Sequence, residues 1–159
     1  MPLPRAAAVL LAVVLAGGCG QPEPALTAQG DPLGPLEALP ECEAPPSPSA
    51  DAPEGLVLPD SAVVQQVTPQ DPLVNVTAYV PMTPVQFEQA YAELDGIEIL
   101  ITENEVYEAE LLISNGTHRN FFKAAATCSQ GSAIIAVVAP EVDAEGLPVP
   151  AQATASPAP

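Results

Sequence analysis

The sequence has very few basic side chains, no tryptophan and a single histidine. Lysine and arginine number three in 159 residues, against 20 aspartates and glutamates, which gives a formal net charge of −17. Nucleic acid and anionic membrane surfaces repel such a chain, so charge excludes both as binding partners. The histidine, His118, has no cysteine or histidine partner that would complete a metal site, so we expect no metal and no cofactor.

Signatures of catalysis are also missing. The sequence shows no Ser-His-Asp constellation and no phosphate-binding glycine loop. One group of charged residues is predicted to share a sheet face: Glu98, Glu108, Glu110, Arg119 and Lys123. Catalytic carboxylates sit in clefts, whereas this pattern is typical of a solvated face with cross-strand ion pairs. We therefore expect no catalytic residues and a protein that is not an enzyme.

A short apolar run follows the N-terminal arginine. Residues 6–18 are apolar and end in the small residues "AGG", directly before Cys19. The order charged, apolar, small is typical of a secretory signal peptide, and the run is shorter than the ~20 residues of a membrane span. We predict a signal peptide over residues 1–18, with cleavage placing Cys19 at the mature N-terminus.

Three cysteines leave an odd one in a secreted chain. If Cys19 is modified, Cys42 and Cys128 are free to pair in an oxidising compartment, and two buried thiols are the alternative. Cys42 lies in "PECEAPP", where no apolar neighbours give it a packing role. We predict a Cys42–Cys128 disulfide, which requires the two Cα atoms to lie within about 7 Å of each other.

Proline content divides the chain into segments. Residues 21–59 hold ten prolines and little apolar periodicity, and the chain ends in "PVPAQATASPAP". Such segments cannot bury enough apolar surface to fold alone. We predict a disordered Pro-rich tether over 19–54, one small domain over 55–141, and a disordered Pro/Ala-rich tail over 142–159.

Within the domain, one helix is predicted among β-rich runs. In "MTPVQFEQAYAELDG", Thr83 is the expected N-cap, Pro84 takes the first helical position and Gln86 completes a capping box. The apolar stripe of this helix comprises Phe87, Ala90, Tyr91 and Leu94. The alternating runs around it favour an α+β fold, a mostly antiparallel sheet with one packed helix in the order ββαβββ.

The pair Asn115-Gly116 lies between two apolar runs and predicts a two-residue hairpin turn. That turn would place Ala109 opposite Phe122. The predicted core face comprises Tyr107, Ala109, Leu111, Ile113, Phe122, Ala124, Ala126 and Cys128. For the preceding strand to join this face, Ile99 should oppose Ala109 across a three-residue loop, 103–105.

The motif "LAGGC" is similar to the lipobox of bacterial lipoproteins, in which the cysteine is acylated. Together with the Pro-rich spacer, the helix, "ENEVYEAELLISNG" and the later cysteine, it resembles small, uncharacterised bacterial envelope lipoproteins. The resemblance implies palmitate-type acylation of Cys19, an extracytoplasmic domain anchored to a membrane, and an envelope protein as candidate partner. Ordinary secretion with a free Cys19 is the alternative.

Two functions follow as expectations. The first is a non-enzymatic, lipid-anchored interaction module of the cell envelope. The second is a small-molecule carrier with a pocket between the helix and the sheet. A filled helix–sheet interface would favour the first and a hollow one the second.

Overall fold

The computed structural model describes residues 34–150 of the chain. Its six strands form one sheet in the order β1-β2-β6-β5-β4-β3, and every neighbouring pair is antiparallel. The strands are β1 (Val63–Gln70), β2 (Leu73–Val80), β3 (Glu98–Glu105), β4 (Glu108–Ser114), β5 (His118–Cys128) and β6 (Gly131–Pro140). The helices are α1 (Gly34–Glu37), α2 (Pro84–Ala92) and a 3₁₀ helix (Glu141–Gly146).

This architecture confirms a mostly antiparallel sheet and corrects the element order. Four strands follow α2, so the predicted order ββαβββ was one strand short. The run between residues 97 and 128 contains two hairpin turns, and it therefore supplies three strands before β6. The two short helices, α1 and the 3₁₀ helix, were not predicted.

Helix α2 begins as its sequence predicts. The Gln86 backbone N–H donates to Thr83 Oγ1 at 3.3 Å, and the Thr83 backbone N–H donates to Gln86 Oε1 at 3.0 Å. This reciprocal pair satisfies two N–H groups that lack partners inside the helix. The helix ends at Ala92. Leu94, predicted as part of the buried stripe, lies beyond that end and is 41 % exposed.

Aromatic rings fill the interface between α2 and the sheet. Phe87 and Tyr91 from the helix meet Phe122 from β5, with ring centroids 5.1–5.6 Å apart. All three side chains are at most 1 % exposed. The Tyr91 hydroxyl donates to the Val57 carbonyl at 2.8 Å, which satisfies its polar end. The main core therefore lies on this face of the sheet.

The β4–β5 hairpin has a register two residues away from the predicted one. Ala109 pairs with Ala124 and Leu111 with Phe122, because the turn residues are Gly116-Thr117. Gly116 has φ +83°, a left-handed conformation that favours glycine. A two-residue shift leaves every side chain on its predicted face. The core face is confirmed for Ala109, Leu111, Ile113, Phe122 and Ala124, all fully buried.

The β3–β4 connection differs from its prediction. The turn is the two-residue Val106-Tyr107, not the three-residue loop 103–105, and Ile99 pairs with Ile113 rather than Ala109. With a two-residue turn and no irregularity, Ile99 would face away from the core. A β-bulge between Ile99 and Ile101 shifts the pairing by one residue and returns Ile99 to the core face. Tyr107 lies in the turn and is 49 % exposed, so its predicted place on the core face was wrong.

The chain on either side of the predicted domain lies on the sheet. We call residues 34–58 the N-terminal strap and residues 141–150 the C-terminal segment. In the strap, Leu36 is 2 % exposed and the Ser49 backbone N–H donates to the Val64 carbonyl at 3.0 Å. In the C-terminal segment, Ala144 and Leu147 are buried. Described residues on both sides of the predicted domain, 55–141, therefore pack on the sheet.

The C-terminal segment covers part of the second face of the sheet, the face opposite α2. Ala144 and Leu147 join a small apolar cluster there. Its other buried members come from the strands and are Leu112, Phe121, Val137 and Ala139. The rest of the second face carries polar and charged side chains, with Ile135 51 % exposed among them.

Candidate functional site

The predicted signal peptide, residues 1–18, and the predicted acylation site, Cys19, lie outside the described residues. Within residues 34–150, no helix is long and apolar enough to cross a membrane. Of the predicted sites, the structure describes the cysteine pair Cys42 and Cys128.

A disulfide joins Cys42 to Cys128, with the Cα atoms 5.0 Å apart. Cys128 is the last residue of β5, and Cys42 reaches it because the strap runs beside the β5–β6 turn. The Ser129 backbone N–H donates to the Pro40 carbonyl at 3.0 Å, and the Gln130 N–H donates to Cys42 Sγ at 3.4 Å. The predicted pairing and its distance requirement are confirmed.

The sulfur of Cys128 lies among hydroxyl groups. Tyr79 Oη and Thr127 Oγ1 are each 3.9 Å from Cys128 Sγ, and Cys128 is 8 % exposed. Gly131 is needed for this close packing. A Cβ atom there would lie 2.3 Å from Tyr79 Oη and 2.6 Å from Cys128 Sγ.

A groove of about 340 Å³ opens beside the disulfide. Part of its wall comes from the sheet and part from the strap. Its lining residues are Pro40, Glu41, Glu43, Ala44, Tyr79, Thr127 and Cys128. Glu41 and Glu43 are exposed, so the groove carries negative charge next to the bond.

Of the predicted group of charged residues, Glu98 pairs with Ser114 between β3 and β4, and the other four divide into two separate sets. Lys123 donates to Glu108 and, at 3.1 Å, to Glu110. Hydrogen bonds to Glu108 and then Glu110 raise the pKa of Lys123 above its usual value. The predicted register placed Glu108 opposite Lys123, whereas the structure places Glu110 there. With Glu103 and Glu105 these residues border a shallow groove of about 210 Å³ on the second face.

Arg119 lies in the other set, at the C-terminal segment. Its Nε donates to Glu141 Oε1 at 2.7 Å, and the Ser114 hydroxyl donates to Glu141 Oε2 at 3.0 Å. The hydrogen bond from Arg119 is the main cause that holds the pKa of Glu141 below its usual value. This pair attaches the 3₁₀ helix to the sheet. Arg119 is therefore not part of the group that Lys123 forms with Glu108 and Glu110.

Among residues 34–150, no three His, Cys, Asp or Glu side chains are grouped to hold a metal ion. His118 packs its ring against Gly55, where a Cβ atom would lie 2.2 Å from the ring. Gly55 has φ +80°. The histidine therefore has a packing role at the point where the strap meets β5.

Sequence reasoning missed the residue that holds the end of the strap. Asn120 is fully buried, its Nδ2 donates to the Gly55 carbonyl at 3.1 Å, and its Oδ1 accepts from the Val57 N–H at 3.1 Å. These two bonds give the backbone of the strap, at Gly55 and Val57, hydrogen-bond partners on the sheet. Its signal was a polar side chain at a core-facing position of β5, since buried amides require partners.

Comparison with protein-family models, curated proteins and solved structures finds no match to this chain.

Proposed function

We propose that this chain is a lipid-anchored protein of a bacterial cell envelope and that its domain is a non-enzymatic interaction module. The Cys42–Cys128 disulfide is the observation that carries the proposal. Disulfides persist in extracytoplasmic compartments, which is where the signal peptide over 1–18 would direct the chain. The bond also leaves Cys19 as the one cysteine without a disulfide partner, as acylation requires.

The described surface supports a role other than catalysis. Lys123 bridges two carboxylates on an open face, and this arrangement contributes little beyond local stability when it is solvated. The sheet face next to α2 is closed by three aromatic rings. The groove that Glu103, Glu105, Glu108, Glu110 and Lys123 border on this face is shallow and open, unlike the clefts in which acid–base chemistry is favoured.

The filled helix–sheet interface also favours the interaction module over a carrier. A carrier would bind its ligand between α2 and the sheet, in a pocket of ~300–1,000 Å³. Phe87, Tyr91 and Phe122 occupy that space. A ligand there would have to displace rings that already contact one another.

Fractionation of cells that produce the full precursor tests the anchor. Wild type should sediment with membranes, and Cys19→Ser should move to the soluble fraction, because a serine cannot take the thioether-linked lipid. The matched control is the pair Cys42→Ser and Cys128→Ser, which removes the other two cysteines and should leave the protein in the membrane fraction. Identical fractionation of wild type and Cys19→Ser contradicts the anchor.

Affinity capture of the acylated protein from its own envelope tests the module. A photo-crosslinking residue at Ile135, on the open second face, and a second one at Leu94, past the end of α2, report which surface meets a partner. We expect a defined crosslinked protein from one of the two positions. Recovery of a co-purifying small molecule with no crosslinked protein would favour the carrier instead.

A further inference from the structure

The two sulfurs of the disulfide have different surroundings. Cys42 is partly exposed in the strap, whereas Cys128 is 8 % exposed at the end of β5. An incoming thiolate must attack one sulfur and expel the other. The more exposed Cys42 Sγ is the accessible target, which makes Cys128 the leaving group.

Two hydroxyl groups lie near the leaving sulfur. Tyr79 Oη and Thr127 Oγ1 each lie 3.9 Å from Cys128 Sγ. The Thr127 hydroxyl also donates to the Gly131 carbonyl at the shorter distance of 3.3 Å, so Tyr79 is the available donor. Hydrogen bonds to a thiolate favour the charged form, and a better-stabilised thiolate leaves faster. The arrangement therefore supports cleavage of the bond in one direction, with negative charge developing on Cys128.

We propose that Cys42–Cys128 is a thiol–disulfide exchange site, at which a dithiol reductant opens the bond and frees the N-terminal strap while the sheet stays folded. One thiolate of the reductant attacks Cys42 Sγ, the Sγ–Sγ bond breaks, and Cys128 leaves as a thiolate that takes a proton from solvent. The second thiolate of the reductant then attacks the mixed disulfide and closes the reductant's own disulfide. Cys42 is released as a thiolate and is protonated. Two electrons pass from the dithiol to the protein.

The strap has little else to hold it between its two ends. No residue from 37 to 55 is buried. Apart from the disulfide, its middle is attached through the backbone bonds of Pro40 and Ser49, the bond from the Gln130 N–H to Cys42 Sγ, and the packing of Ala50 against the main core. Leu56, Val57 and Leu58 pack against the main core, and Val57 is also hydrogen-bonded to Asn120 and Tyr91, so we expect these residues to remain in place when the disulfide opens.

When the disulfide opens, the chain loses its covalent link to the sheet at Cys42. The next backbone bond to the sheet is at Ser49, seven residues after Cys42. Once the contacts of Leu36, Pro35 and Pro40 are released as well, ~3.1 Å per extended residue adds roughly 20 Å to the chain between the N-terminus and the sheet. The longer reach rests on the proposed function, because it matters only when Cys19 is anchored. The exchange itself does not depend on the anchor.

The groove beside the bond selects among reductants by charge. Glu41 and Glu43 border it, and the described residues that line it include no lysine or arginine. An anionic thiol approaching this groove is repelled, whereas a neutral or cationic one is not. We therefore expect cysteamine to react faster than 2-mercaptoethanol, and 2-mercaptoethanol faster than mercaptoacetate, after correction for the thiolate fraction of each.

The experiment uses the mature chain with Cys19→Ser, which retains only the two cysteines of the bond and needs no membrane. Dithiothreitol is added under native conditions, free thiols are alkylated over time, and mass spectrometry gives the rate. Hydrogen exchange is followed in the same samples. We expect full reduction, at least about tenfold faster exchange at Ser129, whose backbone N–H donates to the Pro40 carbonyl of the strap, and unchanged protection at Leu111 and Phe122. Reduction that requires loss of protection at Leu111 and Phe122, or that leaves Ser129 protected, overturns the proposal.

A matched pair of variants tests the leaving group. Tyr79→Phe removes one hydroxyl donor and should slow exchange several-fold. Tyr107→Phe removes a hydroxyl that donates to the Pro35 carbonyl of the same strap at 3.2 Å rather than to a sulfur, and should leave the rate unchanged. Equal rates in wild type and Tyr79→Phe would refute the role of the hydroxyl. A soluble wild-type precursor in the fractionation test would refute the anchor and leave these rates as they are.

Discussion

The N-terminal strap and the C-terminal segment both lie across the sheet, but different forces hold them. The strap is attached by a disulfide, backbone hydrogen bonds and the amide of Asn120, with few buried side chains before Leu56. The C-terminal segment is attached by burial of Ala144 and Leu147 and by the Arg119–Glu141 ion pair. A segment poor in apolar residues can thus be ordered by covalent and backbone contacts. Its stability should respond to reductant, whereas that of the C-terminal segment should respond to pH.

Removing the disulfide should have the largest effect. The variant with Cys42→Ser and Cys128→Ala should lose about 2–4 kcal/mol of unfolding free energy, because the unfolded chain regains the freedom of a long loop. Urea unfolding of the Cys19→Ser background and of this variant measures the difference. Added dithiothreitol should lower the stability of the background protein and leave the variant unchanged. Equal stability of both proteins without reductant would show that the strap is held by other contacts.

Truncating a buried apolar side chain of the C-terminal segment should cause the next largest loss of unfolding free energy. Leu147→Ala should cost about 2 kcal/mol, because Leu147 is 7 % exposed within the second-face cluster. Val149→Ala is the matched control, since Val149 is 59 % exposed two residues later and should change stability by less than about 0.5 kcal/mol. Comparable losses in both variants would contradict the burial of this segment.

The buried amide of Asn120 should rank third. Asn120→Ala leaves the Val57 N–H without its side-chain partner and the Gly55 carbonyl with Asn115 alone, at a cost of about 1–2 kcal/mol. Hydrogen exchange at Val57 should rise. Asn75→Ala is the control, because that amide donates to Gln70 at an exposed position. An unchanged exchange rate at Val57 in Asn120→Ala would mean that the strap needs no such bond.

Acid should produce the smallest and most local change. The pKa of Glu141 is lowered by Arg119, so the stabilisation from this pair is fully present above the ordinary glutamate pKa of about 4.3. It is lost as the pH falls through the depressed pKa, when the carboxylate takes up a proton. The exchange rate at Leu147, divided by the intrinsic amide rate at each pH, should rise over that range and stay flat in Glu141→Gln. Exchange at the strap residue Val57, measured over the same pH range and divided by its intrinsic rate, is the control. It should not change, because the Arg119–Glu141 pair does not contact the strap there.

The sequence was sufficient to predict features set by local chemistry. The capping box of Thr83 and Gln86 fixes the start of α2, and the alternation in β4 and β5 fixes which side chains enter the core. The cysteine pair could be predicted because Cys42 had no packing reason to be in its segment. These features depend on residues whose roles compete with few alternatives.

Features that depend on contacts between distant segments were beyond the sequence. The turn at Gly116-Thr117 and the bulge at Ile99–Ile101 both shift register, and no local pattern distinguishes them from the predicted turns. The sequence did not indicate that the strap packs on the sheet, because the prolines of the strap contribute backbone hydrogen-bond acceptors rather than apolar side chains to bury. Those acceptors gain partners only when the β5–β6 turn lies beside them, as the Pro40 carbonyl does.

The most direct test of the account is a peptide map of the mature protein purified from envelopes without reductant, with free thiols alkylated at lysis. We expect a crosslinked pair of peptides that contains Cys42 and Cys128, together with an N-terminal peptide that begins at acylated Cys19. Alkylated Cys42 and Cys128 in the same preparation, or an N-terminal peptide that begins at an unmodified Cys19, would contradict it.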